Sequence, residues 1–157
     1  MATSPTVTLI ISTYNWPEAL TLVFKSISKQ KVLPNEIIIA DDGSDETTRL
    51  LIDSFEASIN IPVKHLWQED RGFRKTIIMN NAIAMAQGEY IIQIDGDIVL
   101  HPAFINDHLK EAEEGFYIKG SRSMLSEQLT QTLITTKRTD ITAFKKGVGS
   151  KINASHF

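Results

Sequence analysis

Four short apolar runs, rich in valine and isoleucine, recur along the first two thirds of the chain. They cover Val7–Ser12, Glu36–Ala40, Val63–Trp67 and Tyr90–Ile94, and few polar residues interrupt them. Strands covered on both faces of a parallel sheet show this near-continuous pattern, whereas strands with one wet face alternate. The pattern therefore predicts four parallel β-strands.

Three helical patterns separate these strands. Their apolar residues recur three and four positions apart, which predicts one buried face for each helix. The first begins at Pro17, the second at Ser44-Asp-Glu46, where Ser44 is the candidate cap, and the third runs from about Phe73 to Gln87, with Gly88 as its stop. The residues expected to face inward are Leu20, Val23, Phe24 and Ile27 in the first helix, Leu51, Ile52 and Phe55 in the second, and Met79, Ala82, Ile83 and Ala86 in the third.

The pattern weakens after the fourth strand. A further helix is predicted from Pro102, Phe116–Lys119 is a candidate strand, and Ser126–Thr136 indicates a mixed polar helix. Strands that alternate with helices predict right-handed βαβ units, and hence an α/β fold with an open, mostly parallel sheet and helices on both faces. We expect one domain over residues 1–157. Ligands of such sheets bind beyond the carboxyl ends of the strands.

Composition limits the possible partners. Sixteen Lys and Arg against 19 Asp and Glu give a formal charge of −3, which provides no general attraction for nucleic acid. The absence of cysteine excludes disulfides and thiolate metal sites. No apolar run approaches the ~20 residues of a membrane-spanning helix, and the N-terminus lacks a signal-peptide pattern, so we expect a soluble, cytoplasmic protein. The last stretch of the chain is basic and carries Lys137, Arg138, Lys145, Lys146 and Lys151. These residues form either a solvated face or a peripheral contact with a membrane or an anionic acceptor.

An acidic pair ends the fourth predicted strand. Asp95 and Asp97 lie two residues apart, so that their side chains point to the same side, and Gly96 between them leaves room for a ligand. A hard divalent cation such as Mg²⁺ or Mn²⁺ is commonly held by one or two carboxylates together with substrate phosphate oxygens. The pair is therefore a candidate metal–diphosphate site, with an exposed and merely solvated strand end as the alternative.

Two further polar clusters follow predicted strands. Asp41 and Asp42 end the second strand, where carboxylates can accept hydrogen bonds from a base or a ribose; a turn and helix cap is the simpler alternative. Arg71, Arg74 and Lys75 surround Gly72 just before the third helix. Such residues can bind a diphosphate together with the helix N-terminus, and a solvated basic turn balanced by nearby acidic residues is the alternative.

Five motifs in this order resemble family 2 glycosyltransferases, which have the Rossmann-like GT-A fold. The resemblance extends from Thr6 to about Ser123 and looks closest to bacterial members that build polysaccharide or lipooligosaccharide chains. The motifs are "LIISTYN" (Leu9–Asn15), "IIADDGSDET" (Ile38–Thr47), "QEDRGFRK" (Gln68–Lys75), "NNAIAMAQGEYIIQIDGD" (Asn80–Asp97) and "HPAFI" (His101–Ile105).

The resemblance implies inverting, metal-dependent transfer of a sugar from a nucleotide diphosphate sugar, most commonly a UDP-sugar, to a hydroxyl of a saccharide or lipid-linked acceptor. By the same resemblance, Asp42 takes the base N–H, Asp95 lies near the ribose or metal, and Asp97 binds the metal, Mg²⁺ or Mn²⁺. The implied donor-binding residues are Thr13, Tyr14, Asn15, Asp41, Asp42, Arg71, Arg74, Lys75, Asp95 and Gly96.

The chain departs from this family in two places. Met79 stands where many relatives carry a basic residue, and nothing after Ser123 matches the acceptor-binding half that supplies the catalytic base. We therefore expect a donor-binding half, truncated at its C-terminus, with the base beyond Phe157. A non-catalytic nucleotide-binding module and a haloacid-dehalogenase-like phosphatase, with Asp95 as nucleophile, are the alternatives; motif order disfavours the second.

Overall fold

The computed structural model describes residues 4–142 and 146–149, and a parallel sheet lies at its centre. The strands are β1 (Val7–Thr13), β2 (Glu36–Asp41), β3 (Val63–Trp67) and β4 (Tyr90–Asp95). The helices are α1 (Pro17–Ile27), α2 (Glu46–Ser58), α3 (Lys75–Met85), α4 (Phe104–Glu111) and α5 (Glu127–Thr136). Strand order is β3-β2-β1-β4, with every pairing parallel, so the α/β fold and the four predicted strands are confirmed.

Successive residues of β1 contribute to two separate apolar layers. Leu9 and Ile11 face a core formed with α1, α2 and α4, in which the rings of Phe24 and Phe55 stack with centroids 3.9 Å apart. Ile10 faces the opposite layer, which α3 covers. Full burial of one such side chain stabilises the fold by about 1.5–3 kcal/mol. Helices thus cover both faces of the sheet, as the uninterrupted apolar strands predict.

The buried face of α3 differs from the predicted one. Ile78 and Ala82 are buried against β1 and β2, with Met79 and Ala86 partly buried beside them. The prediction that Ile83 lies in the core is wrong, since 39% of it is exposed. Phe73, the predicted start of this helix, lies before it and is 88% exposed. Apolar residues occur nearly all round α3, so their spacing did not determine which face is buried.

The start of α2 uses a different cap from the predicted one. Asp45 is the N-cap, and its Oδ1 accepts a hydrogen bond from Thr48 N at 3.2 Å. Ser44, the expected cap, instead accepts from Asn15 N through its Oγ at 2.9 Å. This bond ties the loop after β1 to the loop after β2, so Ser44 joins two loops at the carboxyl edge of the sheet.

The C-terminal third is less regular. Ser126 caps α5, whose Leu129 and Leu133 pack on Leu22 of α1, which confirms the helix predicted over Ser126–Thr136. Phe116–Lys119, the candidate fifth strand, is not a strand in the structure. Lys145, Lys151 and the tail 150–157 lie outside the described residues. Within the ranges described above, no helix is long and apolar enough to cross a membrane.

Candidate functional site

The carboxyl ends of β1, β2 and β4 line one open cleft of about 200 Å³. The register explains why these ends meet, because Thr13 pairs with Asp41 and Ser12 pairs with Asp95 across the parallel ladders. The cleft is lined by Ser12, Thr13, Tyr14, Trp16, Ala40, Asp42, Lys75, Asp95, Gly96 and Asp97. Three carboxylates and an ammonium group therefore converge at the edge where α/β sheets bind ligands.

Asp95 is the most highly connected of these carboxylates. Its Oδ1 accepts hydrogen bonds from Ser12 Oγ at 3.0 Å and from Lys75 Nζ, and Arg122 Nη1 lies 4.0 Å from its Oδ2. The hydrogen bond from Lys75 lowers the pKa of Asp95 below its ordinary value, against the opposing effect of partial burial. The Asp95 side chain is therefore an anion at neutral pH, half-buried at the floor of the cleft.

Gly96 and Asp97 complete the turn after β4. Gly96 N donates to Ser12 O at 2.7 Å, and a Cβ at Gly96 would lie only 2.9 Å from that same oxygen. A side chain at position 96 would therefore push β4 away from β1. The glycine allows Asp97 to follow Asp95 along one wall of the cleft.

The acidic pair fits a divalent cation only as part of a larger ligand shell. In residues 4–142 and 146–149, no three or more His, Cys, Asp or Glu side chains form a cluster that could hold a metal ion. Magnesium and manganese accept one or two carboxylates when waters and phosphate oxygens fill the remaining positions. The donor set of Asp95 and Asp97 therefore suits a metal that arrives with a phosphorylated ligand.

Asp42 is held from two directions at the opposite wall. Gln68 Nε2 donates to its Oδ1, and Arg74 N donates to its Oδ2 at 2.8 Å. Asp42 N in turn donates to Thr13 O at 3.1 Å, which continues the β1–β2 ladder past the end of β2. A carboxylate has about four acceptor positions, so this fixed side chain can still accept from a ligand N–H.

Asp41 has a different environment from its neighbour. It is fully buried, and its Oδ1 accepts from Ser44 N at 2.8 Å and Gly43 N at 3.2 Å. Its Oδ2 lies 3.0 Å from His65 Nε2. Asp41 therefore shapes the turn after β2, as the simpler alternative for this aspartate pair predicts, whereas Asp42 lines the cleft.

The loop after β1 contributes an aromatic wall. Tyr14 OH donates to Asp70 Oδ2 at 2.9 Å, which joins this loop to the one after β3, and Trp16 lines the cleft beside it. Asn15 adopts φ of 45°, and its Oδ1 accepts from Asp45 N at 2.8 Å. Asn15 thus holds the loop against the start of α2, whereas Thr13 and Tyr14 border the cleft directly.

The three predicted phosphate-binding cations separate in the structure. Lys75 lines the cleft. Arg71 forms an exposed ion pair with Glu69, and Arg74 donates through its guanidinium to Glu69 O at 2.5 Å. Arg74 contributes to the cleft through its backbone N–H on Asp42.

Four residues of this region were missing from the sequence-based prediction. Ser12 could have been found, because the register of adjacent parallel strands places it opposite Asp95. Trp16, Gln68 and Arg122 reach the site from a helix start and two loops. The sequence carries no spacing signal for contacts of this kind.

Comparison with known proteins agrees with this geometry. The sequence model described as "Glycosyl transferase family 2" matches residues 8–146. The hyaluronan synthase of Pasteurella multocida is 27% identical over 123 residues, which are 76% of this chain and 12% of that protein. The chondroitin synthase of Escherichia coli is 28% identical over 103 residues, 65% of this chain and 15% of that protein. The chain thus spans at most 23% of the length of the first three curated relatives.

Solved structures share the fold. A mannosyltransferase, PcManGT from Pyrobaculum calidifontis, in complex with GDP-Man and Mn²⁺, superposes with a TM-score of 0.61 at 22% identity, covering 69% of this chain and 32% of that one. The Rossmann-like GT-A fold is thereby confirmed, and a phosphatase is not favoured. Because the family match covers most of the sequence and includes all three strand ends of the cleft, this chain belongs to glycosyl transferase family 2.

Proposed function

We propose that this chain is the donor-binding part of a metal-dependent glycosyltransferase that takes a sugar from a nucleotide diphosphate sugar. The observation that carries the proposal is the convergence of Asp42, Asp95, Asp97 and Lys75 on one cleft at the strand ends. The family match supports this assignment, as does a fold shared with an enzyme whose structure contains GDP-Man and Mn²⁺.

The cleft offers partners for the base, the cation and the diphosphate of such a donor. Asp42, fixed by Gln68 and Arg74 N, would accept from the base, and the aromatic side chain of Tyr14 would border it. Asp95 and Asp97 would hold the cation, which when bound would neutralise charge on the departing diphosphate. Lys75 would contact the diphosphate oxygens as a point charge. A phosphate role for Arg71 and Arg74 stays a prediction.

Sugar transfer, proposed to proceed with inversion, requires a base that accepts the proton of an acceptor hydroxyl. The three carboxylates that line the described cleft all serve the donor or the metal in this proposal. The base is therefore proposed to come from a part of the protein other than these residues. The proposed acceptor is a saccharide or a lipid-linked saccharide, with polysaccharide synthases among the relatives as support.

Calorimetry with UDP tests the proposed site. UDP should bind in the presence of Mn²⁺ or Mg²⁺ and lose affinity when EDTA is added, and parallel titrations with GDP test the choice of base. Asp97→Asn should weaken metal-dependent binding, while Asp107→Asn, which removes an exposed ion-pairing carboxylate on α4, should not. Equal UDP affinity with and without EDTA would contradict the metal assignment.

A non-catalytic nucleotide-binding module would share this binding behaviour. Transfer assays with radiolabelled UDP-sugars and oligosaccharide acceptors separate the two functions, because a module binds the donor and leaves it intact. Transfer that disappears in Asp97→Asn supports the enzyme. Because the base is proposed to lie elsewhere in the protein, the assay must include the part that supplies it; metal-dependent UDP binding without transfer in that form supports the module.

A further inference from the structure

Asp95, one of the two proposed metal ligands, already forms an ion pair with a lysine of the protein. Lys75, the first residue of α3, donates from its Nζ to Asp95 Oδ1, the same oxygen that accepts from Ser12 Oγ at 3.0 Å. Arg122 adds a second cation, with its Nη1 4.0 Å from Asp95 Oδ2. Asp95 is thus neutralised by groups of the protein itself, whereas Asp97, two residues on, forms none of the ion pairs found within residues 4–142 and 146–149.

We propose that Lys75 competes with a divalent cation for Asp95, and that a diphosphate relieves this competition by offering Lys75 another anionic partner. The proposal rests on the donor-binding function given above and adds a regulatory property to it. Metal and nucleotide would then bind cooperatively: each would bind weakly alone and tightly together.

Electrostatics gives the direction of each effect. A cation on Asp95 must displace the ammonium group or share the carboxylate with it, and two positive charges a few ångströms apart in a half-buried cleft repel each other. A diphosphate brings negative charge that can pair with both cations. Because coupling between two ligands is reciprocal, nucleotide must raise metal affinity by the same factor by which metal raises nucleotide affinity.

Position explains why Lys75 can change partners. Its side chain is about one third exposed and belongs to the first turn of α3, so it can rotate without moving the backbone. Ser12 Oγ continues to donate to Asp95 Oδ1 and keeps the carboxylate oriented during such a change. Lys75 is therefore a positioning residue for the metal and a contact for the diphosphate.

The decisive variant is Lys75→Gln, which removes the charge and keeps a long polar side chain. Mn²⁺ alone should bind this variant at least about 5-fold more tightly than it binds the wild type, although the variant lacks the lysine that lines the cleft. UDP in the presence of Mn²⁺ should bind more weakly. The ratio of Mn²⁺ affinities with and without UDP should fall by about 10-fold, which lies within the usual range of coupling between sites.

Lys110→Gln is the matched control. Lys110 also forms a lysine–aspartate pair, with its Nζ 3.0 Å from Asp107 Oδ1, but this pair lies on the surface of α4. Loss of this pair should leave the affinity for Mn²⁺ alone, the affinity for Mn²⁺ in the presence of UDP and the affinity for UDP in the presence of Mn²⁺ unchanged. The double variant Lys75→Gln, Asp97→Asn should lose the gain in Mn²⁺ affinity, which would assign that gain to the acidic pair.

Calorimetry of Mn²⁺ with each of these proteins, repeated in the presence of UDP, measures the required affinities. An unchanged or weaker affinity of Lys75→Gln for Mn²⁺ alone would overturn the competition. Failure of every protein to bind UDP would instead overturn the donor-binding function. The two failures are distinguishable because the comparison with Mn²⁺ alone contains no nucleotide.

Discussion

The two ends of the parallel sheet both contain buried or half-buried carboxylates, yet they use them in opposite ways. At the amino end, Glu36 of β2 is buried and accepts from Thr8 Oγ1 at 2.6 Å, Gln87 N at 2.5 Å and Lys64 Nζ at 2.8 Å. At the carboxyl end, Asp95 and Asp97 face an open cleft. Glu36 joins β1, β3 and the segment before β4 into one network.

The glycines repeat this contrast. A Cβ at Gly88, before β4, would lie 2.5 Å from Thr8 N, and one at Gly96, after β4, would lie 2.9 Å from Ser12 O. Both glycines let β4 approach β1 closely. At the amino end the approach closes a network whose acceptors are filled by the protein, and at the carboxyl end it places two carboxylates beside a cleft. A charged residue at a strand end thus indicates a binding site only when its oxygens still have acceptor positions that face solvent.

The largest expected effect on stability is that of Glu36→Ala. The change leaves Gln87 N and Thr8 Oγ1 without their acceptor and removes the partner of Lys64, so we expect a loss of about 2–4 kcal/mol in the free energy of unfolding. Urea denaturation followed by circular dichroism measures it. Asp97→Ala, at an exposed position of the other end, should stay within about 0.5 kcal/mol of the wild type. Equal losses of unfolding free energy in the two variants would contradict the proposed difference between the two ends of the sheet.

Binding should show the reverse order. Asp97→Asn removes a charge-assisted contact to the proposed cation, so metal-dependent UDP affinity should fall by about 1–3 kcal/mol, or roughly 5- to 150-fold. Glu36→Gln should keep the affinity of the folded protein. Calorimetry at a temperature where both variants are folded provides the measurement. A larger loss in Glu36→Gln would mean that the amino end controls the cleft.

The glycine pair sharpens the same distinction. Gly88→Ala should lower stability by about 1–3 kcal/mol, the usual effect of overpacking, because the added Cβ meets backbone atoms of β1. Gly96→Ala should destabilise less, since its nearest contact is longer, but should also weaken Mn²⁺ binding by moving Asp95 and Asp97 away from Ser12. Thermal melts and Mn²⁺ titrations of both variants measure these effects. Unchanged Mn²⁺ affinity in Gly96→Ala would argue against the acidic pair as the metal site.

The smallest effect concerns pH. Burial raises the pKa of Glu36, but hydrogen bonds from Lys64, Thr8 and Gln87 N outweigh it, and the net pKa lies below the ordinary value of 4.5. A carboxyl group with a lowered folded pKa contributes stability above its unfolded pKa and loses it as pH falls through the folded pKa. The stability difference between pH 7 and pH 3 should therefore be smaller in Glu36→Gln than in the wild type. Urea titrations at both pH values measure it, and an unchanged difference would contradict the assignment.

Apolar patterning along the chain sufficed to predict the sheet, its helices and the edge at which the site lies. Strands such as β1 bury both faces, so their sequence signal does not depend on which neighbour covers them. Parallel strands then bring their carboxyl ends to one edge, and Asp42, Asp95, Asp97 and Lys75 meet there. For these elements, local pattern and global fold make the same demand.

Tertiary structure alone decided which of two neighbouring residues with the same chemistry is buried and which lines the cleft. Asp41 is buried against His65 and the turn after β2, whereas Asp42 lines the cleft, because adjacent residues at a strand end point in different directions and meet different neighbours. The sequence likewise did not determine the rotation of α3, which buries Ile78 and exposes Ile83, because the helix carries apolar residues on nearly all of its faces. Contacts from Gln68 and Arg122 depend on loops that bring distant residues together. The sequence by itself determined the elements and the edge of the site, and packing between distant segments decided which side chains reach the ligand.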